Sequence, residues 1–335
     1  MPVAIGVDVG GTKTHLRVET HHQLTQDVVM PTASWWRPGT PIEDEANAER
    51  LVSLMGTPAA GPLAVVVGAH GVDSRRVAIT MAQRLKALVS GPVEVVNDAA
   101  LVAPAAGFTG PSVTVVAGTG SIVLAVDESG RTTRHGGHGH LLGDEGSAPA
   151  LVRDLARAVL RAGDRGAQDT IALAALADAF GIPDHADRAD ELSIAMHAAP
   201  SRTDWGNAAP AVFAAAEAGS PLAARVIETH AEVLAGLVRL HLEAGVLPEA
   251  VVLAGGVVSH QPSLVDAITG AIHSTHPEQP VVLLREPPVA GALALARVTL
   301  ARQLPPAGHS ARPHTDHPEP GRRHPDRLHT EGNQR

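Results

Sequence analysis

A single carboxylate, Asp8, closes an apolar run and is followed at once by Gly10-Gly11-Thr12-Lys13-Thr14. Glycines free the backbone of such a turn, so its amide N–H groups can converge on an anion, with the hydroxyls of Thr12 and Thr14 and the ammonium of Lys13 beside them. A carboxylate next to a bound phosphate can hold Mg²⁺, which takes oxygen ligands and keeps several waters. The plainer alternative is an ordinary Gly-Gly hairpin in which Asp8 only helps the turn. A second turn of the same kind, Gly118-Thr119-Gly120-Ser121, also lies between two apolar runs. Two phosphate-suited hairpins in one chain suggest a duplicated architecture with a nucleotide held between the halves.

Other residues with chemical potential also stand at segment ends. Asp98 follows the apolar run 93–96 and precedes the apolar stretch 101–106. That places it at the carboxyl end of a strand, where open α/β sheets bind ligands, although Asp is also a common helix cap. Asp144 and Glu145 sit in a glycine-punctuated stretch, 136–147, which also holds Gly137, His138 and Gly139. The histidines at 135–140 invite a metal reading, but the glycines between them leave no rigid frame for ligands. Gly255 and Gly256 end the run 251–253 and would let a flat ring or ribose lie against the backbone. Trp35 and Trp36 are two of only three tryptophans; they read either as packing beneath a loop or as an apolar wall for a small ligand.

The segments that would position these residues read as alternating strands and helices. Strands are expected at 3–9, 16–18, 27–30, 63–67, 93–96, 113–117, 122–126, 251–253 and 281–284. Helices are expected at 43–54, 75–89, 101–106, from 147 onward, through most of 168–244, at 264–273 and at 289–302. From 305 the chain is rich in Pro, His and Arg and is expected to be a disordered tail. The 335 residues suffice for two domains. A net charge of −9 argues against a nucleic-acid binder. The absence of cysteine removes disulfides, thiolate metal sites and a cysteine nucleophile. No apolar run is long enough to span a bilayer. The chain opens directly into a strand, so no signal peptide is expected and the cytoplasm is the expected compartment.

In order and spacing these segments resemble the N-acetylglucosamine kinase and BadF/BadG/BcrA/BcrD-type ATPase family, within the actin-like superfamily of sugar kinases, hexokinases and chaperone ATPases. The pieces are DVGGTKT at 8–14, VVNDA at 95–99, AGTGS at 117–121, GGHGHLLGDEGSA at 136–148, EAGSPLA at 217–223, LAGGVV at 253–258 and PVAGALALA at 288–296. The resemblance implies an α/β fold of two ribonuclease-H-like domains with an interdomain cleft, 1–110 plus 289–302 and 111–288, followed by the tail 303–335. It implies ATP and Mg²⁺ as cofactors, with Gly10, Gly11, Thr12, Lys13, Thr14, Gly118, Thr119, Gly120 and Ser121 at the phosphates. Gly219, Gly255 and Gly256 would lie at the adenosine and Asp8 near the metal.

By the same resemblance Asp98 is the general base that takes a proton from the sugar hydroxyl, and Gly137, His138, Gly139 and Asp144 line the sugar. Two departures fall in the sugar pocket. The family's GG-W-G tryptophan is His138 here, and Trp35-Trp36 stand where N-acetylglucosamine kinases place a sugar-contacting asparagine, which puts Trp35 among the candidate sugar contacts. The implied activity is phosphorylation of an amino sugar or related hexose by a homodimer with no nucleic-acid or membrane partner. The alternative is an ATP-binding sugar sensor of the same fold without turnover.

Overall fold

The computed structural model describes residues 2–37, 39–56, 63–199 and 201–303; the expected tail lies outside them from 304 onward. β1 (Val3–Val9), β2 (Lys13–Thr20) and β3 (Gln23–Pro31) form an antiparallel meander. β1 is apolar almost throughout because both of its faces are covered, as a central strand requires. β3 is exposed along most of its length and carries Gln23, Thr25, Gln26 and Asp27, which suits a solvent-facing sheet edge. The chain then passes through α1 (Glu45–Met55), β4 (Leu63–Ala69), α2 (Arg75–Leu88) and β5 (Val93–Asn97). The side chains of Asp44 and Ser74 cap α1 and α2 by accepting backbone N–H groups. β4 and β5 run parallel to β1, giving the order β3-β2-β1-β4-β5.

A 3-10 turn over Asp98–Leu101 and the short α3 (Val102–Ala105) lead into the second sheet, where one helix over 101–106 was expected. Here β6 (Ser112–Ala117), β7 (Ser121–Val126) and β8 (Thr132–His135) again form an antiparallel meander. β8 was not expected from the sequence; its residues Thr132, Thr133, Arg134 and His135 carry no apolar alternation. Six helices follow: α4 (Ala148–Gly163), α5 (Thr170–Ala179), α6 (Arg188–Ala198), α7 (Arg202–Asn207), α8 (Ala209–Glu217) and α9 (Pro221–Glu243). β9 (Val251–Ala254), α10 (Gly256–His260), α11 (Pro262–His273) and β10 (Val281–Leu283) complete the order β10-β9-β6-β7-β8. With β6 taken as the counterpart of β1, the two sheets have one topology used twice.

Each sheet has a large core on one face and a smaller one on the other. α1 and α2 cover the first sheet through Leu51, Met55, Met81 and Leu85. Helices α4, α5, α8, α9 and α11 cover the second through residues such as Leu155, Leu176, Phe213, Leu234 and Ile268. The last helix, α12 (Val289–Ala301), returns to the opposite face of the first sheet. There Ala292, Leu293 and Ala296 pack with Ala4, Ala64 and Val66. The approach depends on missing side chains: a Cβ on Gly291 would collide with the Leu101 carbonyl, and one on Gly6 with the backbone of Leu293. On the matching face of the second sheet, Val102 and Ala103 pack against Ala250, Val252 and Ala254.

Candidate active site

The first glycine hairpin joins β1 to β2 at the carboxyl end of β1. The Gly10 N–H donates to the Lys13 carbonyl at 2.9 Å, and the Thr32 hydroxyl donates to the Gly10 carbonyl at 2.8 Å. Gly11, Thr12 and Lys13 are exposed at the tip, with amides and side chains open to a ligand. Thr14 is not. It is 1% exposed, and its hydroxyl accepts from the Trp35 indole at 2.9 Å while donating to Thr32 Oγ1 at 3.0 Å. Trp35 is likewise buried, in the core beneath the hairpin. These two expected contacts, Thr14 to phosphate and Trp35 to sugar, are therefore corrected: each polar group is already committed within the protein, and neither side chain faces solvent.

Asp8 lies near the end of β1 and Asp98 just past the end of β5, two strands away in the same sheet. Burial pushes the Asp8 carboxyl up to about 7, the charge of Asp98 adds to the rise, and Lys13 pulls against it. Burial also raises Asp98, opposed by the nearby charge of His70 and the Ala99 N–H and reinforced by Asp73. The two acids thus lie within reach of each other's charge, with the exposed His70 and Asp73 close enough to act on Asp98. His70 closes the group on the hairpin side, its ring 3.9 Å from where Gly11 would carry a Cβ. Asn97, rather than Asp98, caps the 3-10 turn, its Oδ1 accepting the Ala99 N–H at 3.0 Å. The Asn97 amide donates to the Val72 carbonyl at 3.3 Å and to Asp73 Oδ1 at 3.4 Å. Asp98 is left in the first turn, where its Oδ1 also accepts the Ala99 N–H, at 3.1 Å.

The second hairpin collects most of the remaining candidates. Its Gly118 N–H donates to Gly120 O at 2.9 Å, and its Gly118 carbonyl accepts the first N–H of α4, from Ala148, at 2.8 Å. The amino end of a sixteen-residue helix therefore abuts the turn and adds positive potential for an anion. Asp144 is buried at φ 59°, its Oδ1 accepting the Gly139 N–H at 3.0 Å and its Oδ2 lying 3.1 Å from where a Gly120 Cβ would stand. Gly256 N lies 3.3 Å from the corresponding position of Gly118. Thr119 is exposed, Ser121 is buried, Gly137 packs on Ile122 and His138 is exposed. Gly219 sits in the α8–α9 turn, whose hydrogen bonds run to Asp169 at the start of α5, with the Ser220 hydroxyl 2.7 Å from Asp169 Oδ2.

The two halves meet through the turn that carries Asp98. Ala99 and Ala100 pack on Leu124, Ile122 and Val116 of the second sheet. Beside this contact a cavity of about 670 Å³ opens between the edge strands β5 and β8, lined by Asp73, Arg75, Asn97, Arg131 and Arg134 among others. Arg134 spans it to Asp73 at 3.1 Å. His70, Asp73, Asn97 and Arg134 were passed over in the sequence. Glycines punctuate the stretch Gly68-Ala69-His70-Gly71-Val72-Asp73, but nothing in it marks the charges that gather around Asp98.

The chain matches the BadF/BadG/BcrA/BcrD ATPase family over residues 5–294. It belongs to that family. Among characterised relatives, this family member is 25% identical over 305 residues to the N-acetylmuramic acid/N-acetylglucosamine kinase of Clostridium acetobutylicum, covering 89% of this chain and 99% of the relative. It is 24% identical over 325 residues to the N-acetyl-D-glucosamine kinase of Dictyostelium discoideum, covering 88% and 97%. The ROK hexokinase of Thermus thermophilus shares its fold, with TM-score 0.53 at 22% identity over 89% of this chain and 98% of the other. A solved structure from Chromobacterium violaceum gives TM-score 0.60 at 23% identity, over 88% and 98%. The fold is thus the two-sheet actin-like ATPase fold expected from the sequence.

The donor set around the first hairpin fits a hard divalent cation held mainly through substrate. Among the described residues there is no group of three or more His, Asp or Glu placed to hold a metal. Mg²⁺ needs no such cage, since it is commonly held by one or two carboxylates with phosphate oxygens and water completing the shell. Asp8, beside the hairpin amides, would supply that carboxylate.

Proposed function

We propose that this chain is an ATP-dependent kinase of an N-acetylated amino sugar, with Asp98 as general base and the nucleotide phosphates cradled between the two glycine hairpins. The observation that carries the reading is the placement of Asp98. It shares a desolvated site with Asp8 beside one hairpin, and its own turn packs against the sheet that bears the other. Phosphoryl transfer asks for in-line positioning and charge neutralisation more than for covalent chemistry. Amides of Gly11–Lys13 and of Thr119 and Gly120 hold phosphate oxygens, those of Gly10 and Gly118 being spent inside their own turns, and Lys13 adds a positive charge at the exposed tip. Mg²⁺, held by Asp8, would neutralise charge on the phosphates. Asp98 takes the proton of the acceptor hydroxyl, and its raised proton affinity suits that task, which is commonly worth about 10²–10⁴ in rate. Asp144 and the amides of Gly137 and His138 orient the sugar, the Gly139 amide being spent on Asp144, and Gly255-Gly256 receive the nucleoside.

The relatives named above act on N-acetylglucosamine and N-acetylmuramic acid. The acidic sugar is included among the candidate substrates because the name of one relative carries it. A homodimeric cytoplasmic enzyme is the form this reading assigns. The test is coupled ADP release with Mg-ATP against a panel of hexoses, amino sugars and N-acetylmuramic acid, with Asp98→Asn run alongside. Sugar-dependent release that disappears in Asp98→Asn while ATP still binds is expected. Turnover retained in Asp98→Asn removes that residue from the base role, and no release with any sugar favours a sensor.

A further inference from the structure

The loop over 136–147 has an unusual backbone. Gly136, Gly137, Gly139 and Gly146 all take positive φ, and so does Asp144, a residue with a Cβ. A non-glycine residue in that region is strained and persists only where its surroundings hold it. The hydrogen bonds that hold it converge on one partly buried cluster outside the loop.

His230, on α9, is 2% exposed, and its Nδ1 accepts the Gly146 N–H at 2.6 Å. Because Nδ1 is an acceptor here, the ring proton resides on Nε2, which donates to Asp154 Oδ2 at 3.1 Å. Asp154, on α4, also receives both arms of Arg153, at 2.8 and 2.9 Å. Burial alone would raise the Asp154 carboxyl, but the hydrogen bonds from His230 and Arg153 outweigh it and hold the group well below the usual carboxylate range. Arg153 in turn donates through Nη1 to the His140 carbonyl. One connected set of charges therefore grips the loop at His140 and at Gly146, on either side of Asp144. The same face of α9 continues with Leu234 and Leu237, which press where Gly146 and Gly136 would carry a Cβ, at 2.5 and 2.9 Å.

We propose that Arg153, Asp154 and His230 are positioning residues for the acceptor loop, setting Asp144 beside Gly120 by clamping the backbone at both ends. This rests on the reading of 137–144 as the sugar-binding segment. The cluster acts through the loop backbone; only Asp144 and the loop amides meet the sugar. A buried N–H deprived of its partner costs about 1–3 kcal/mol, which is about 5- to 150-fold in an equilibrium.

The test uses the full-length protein. His230→Leu removes the acceptor and is expected to raise KM for the sugar about tenfold while KM for ATP stays within about twofold. His230→Asn returns an oxygen near the place of Nδ1 and is expected to recover most of the loss, as Arg153→Lys is relative to Arg153→Ala. In the wild type, ¹⁵N NMR is expected to show His230 protonated on Nε2 alone. Amide hydrogen exchange at Gly146 is expected to accelerate in His230→Leu, a readout that needs no turnover and survives failure of the sugar-kinase reading. Unchanged exchange at Gly146 overturns the clamp. Equal losses for sugar and ATP in folded variants, or a His230→Asn no better than His230→Leu, reduce the cluster to a stability element and overturn the positioning role.

Discussion

The indole N–H of Trp35 donates to the hydroxyl of Thr14 at 2.9 Å, and this bond heads a chain that ends on the first glycine hairpin. Thr32 spends its own proton on the Gly10 carbonyl, so Thr14 must be the donor in the Thr14–Thr32 bond. The order Trp35 to Thr14 to Thr32 to Gly10 is therefore fixed, and it fastens the turn to the core below.

Thr14→Val keeps the shape and removes the hydroxyl, leaving the indole N–H and Thr32 each short of a partner. It is expected to lower unfolding stability by about 1–3 kcal/mol. ATP affinity of the folded variant should stay within about twofold of wild type, because Thr14 offers nothing to a phosphate. Urea unfolding and calorimetric titration check the two halves separately. A large loss of affinity with unchanged stability would return Thr14 to the phosphate site.

A pH effect follows from the packing of α9 on β8. His241 lies against His135 with ring centroids 4.3 Å apart; Thr133 lies 3.2 Å from its Nδ1 and the Val123 carbonyl 3.4 Å from its Nε2. Burial and the neighbouring His135 push its pKa down to about 4 from an ordinary 6.5. Between those values the unfolded chain takes up a proton that the folded chain refuses, so this residue removes stability as pH falls from about 6.5 to 4. Asp8 works the other way: its folded value of about 7 lies above the ordinary 3.8, so it removes stability as pH rises from about 4 to 7. The His241 effect is therefore read as a difference between wild type and His241→Gln in urea unfolding at pH 4.5, 5.5 and 7. The wild-type advantage should shrink with each step down in pH, and a constant difference contradicts the assignment.

Much of this was legible in the sequence because it is local. Gly10-Gly11 and Gly118–Ser121 sit between apolar runs, and each is a β-hairpin turn. Asp98 stands at the carboxyl end of a strand as its spacing suggests. What escaped depends on contacts far apart in the chain. Thr14 looks like a phosphate ligand until Thr32 and Trp35, 18 and 21 residues on, take its hydroxyl. His230 lies 84 residues from the amide it binds, and no pattern near it announces that use. β8 was missed because Thr132–His135 owe their strand to pairing with β7, not to an apolar pattern of their own.

The glycines expected at the nucleoside are not equivalent, and the difference is testable. Gly255 takes φ 109°, and a Cβ there would strike the carbonyl of Ala117, the residue immediately before the second hairpin. Gly219 also has positive φ, 93°, but open space where its Cβ would go. Gly219→Ala therefore meets no protein atom and carries backbone strain of about 1 kcal/mol; an ATP affinity like that of wild type would remove Gly219 from the nucleoside site. Gly255→Ala adds a collision with backbone that can be relieved only by shifting β9 or the end of β6, and either shift moves Gly118 away from Gly256. Its ATP affinity is expected to fall at least about tenfold, a loss of about 1.4 kcal/mol, with a lower melting temperature. Calorimetric titration of both variants decides the matter: comparable losses would place Gly219 at the nucleotide as well, and an unaffected Gly255→Ala would remove the β9–α10 turn from the site.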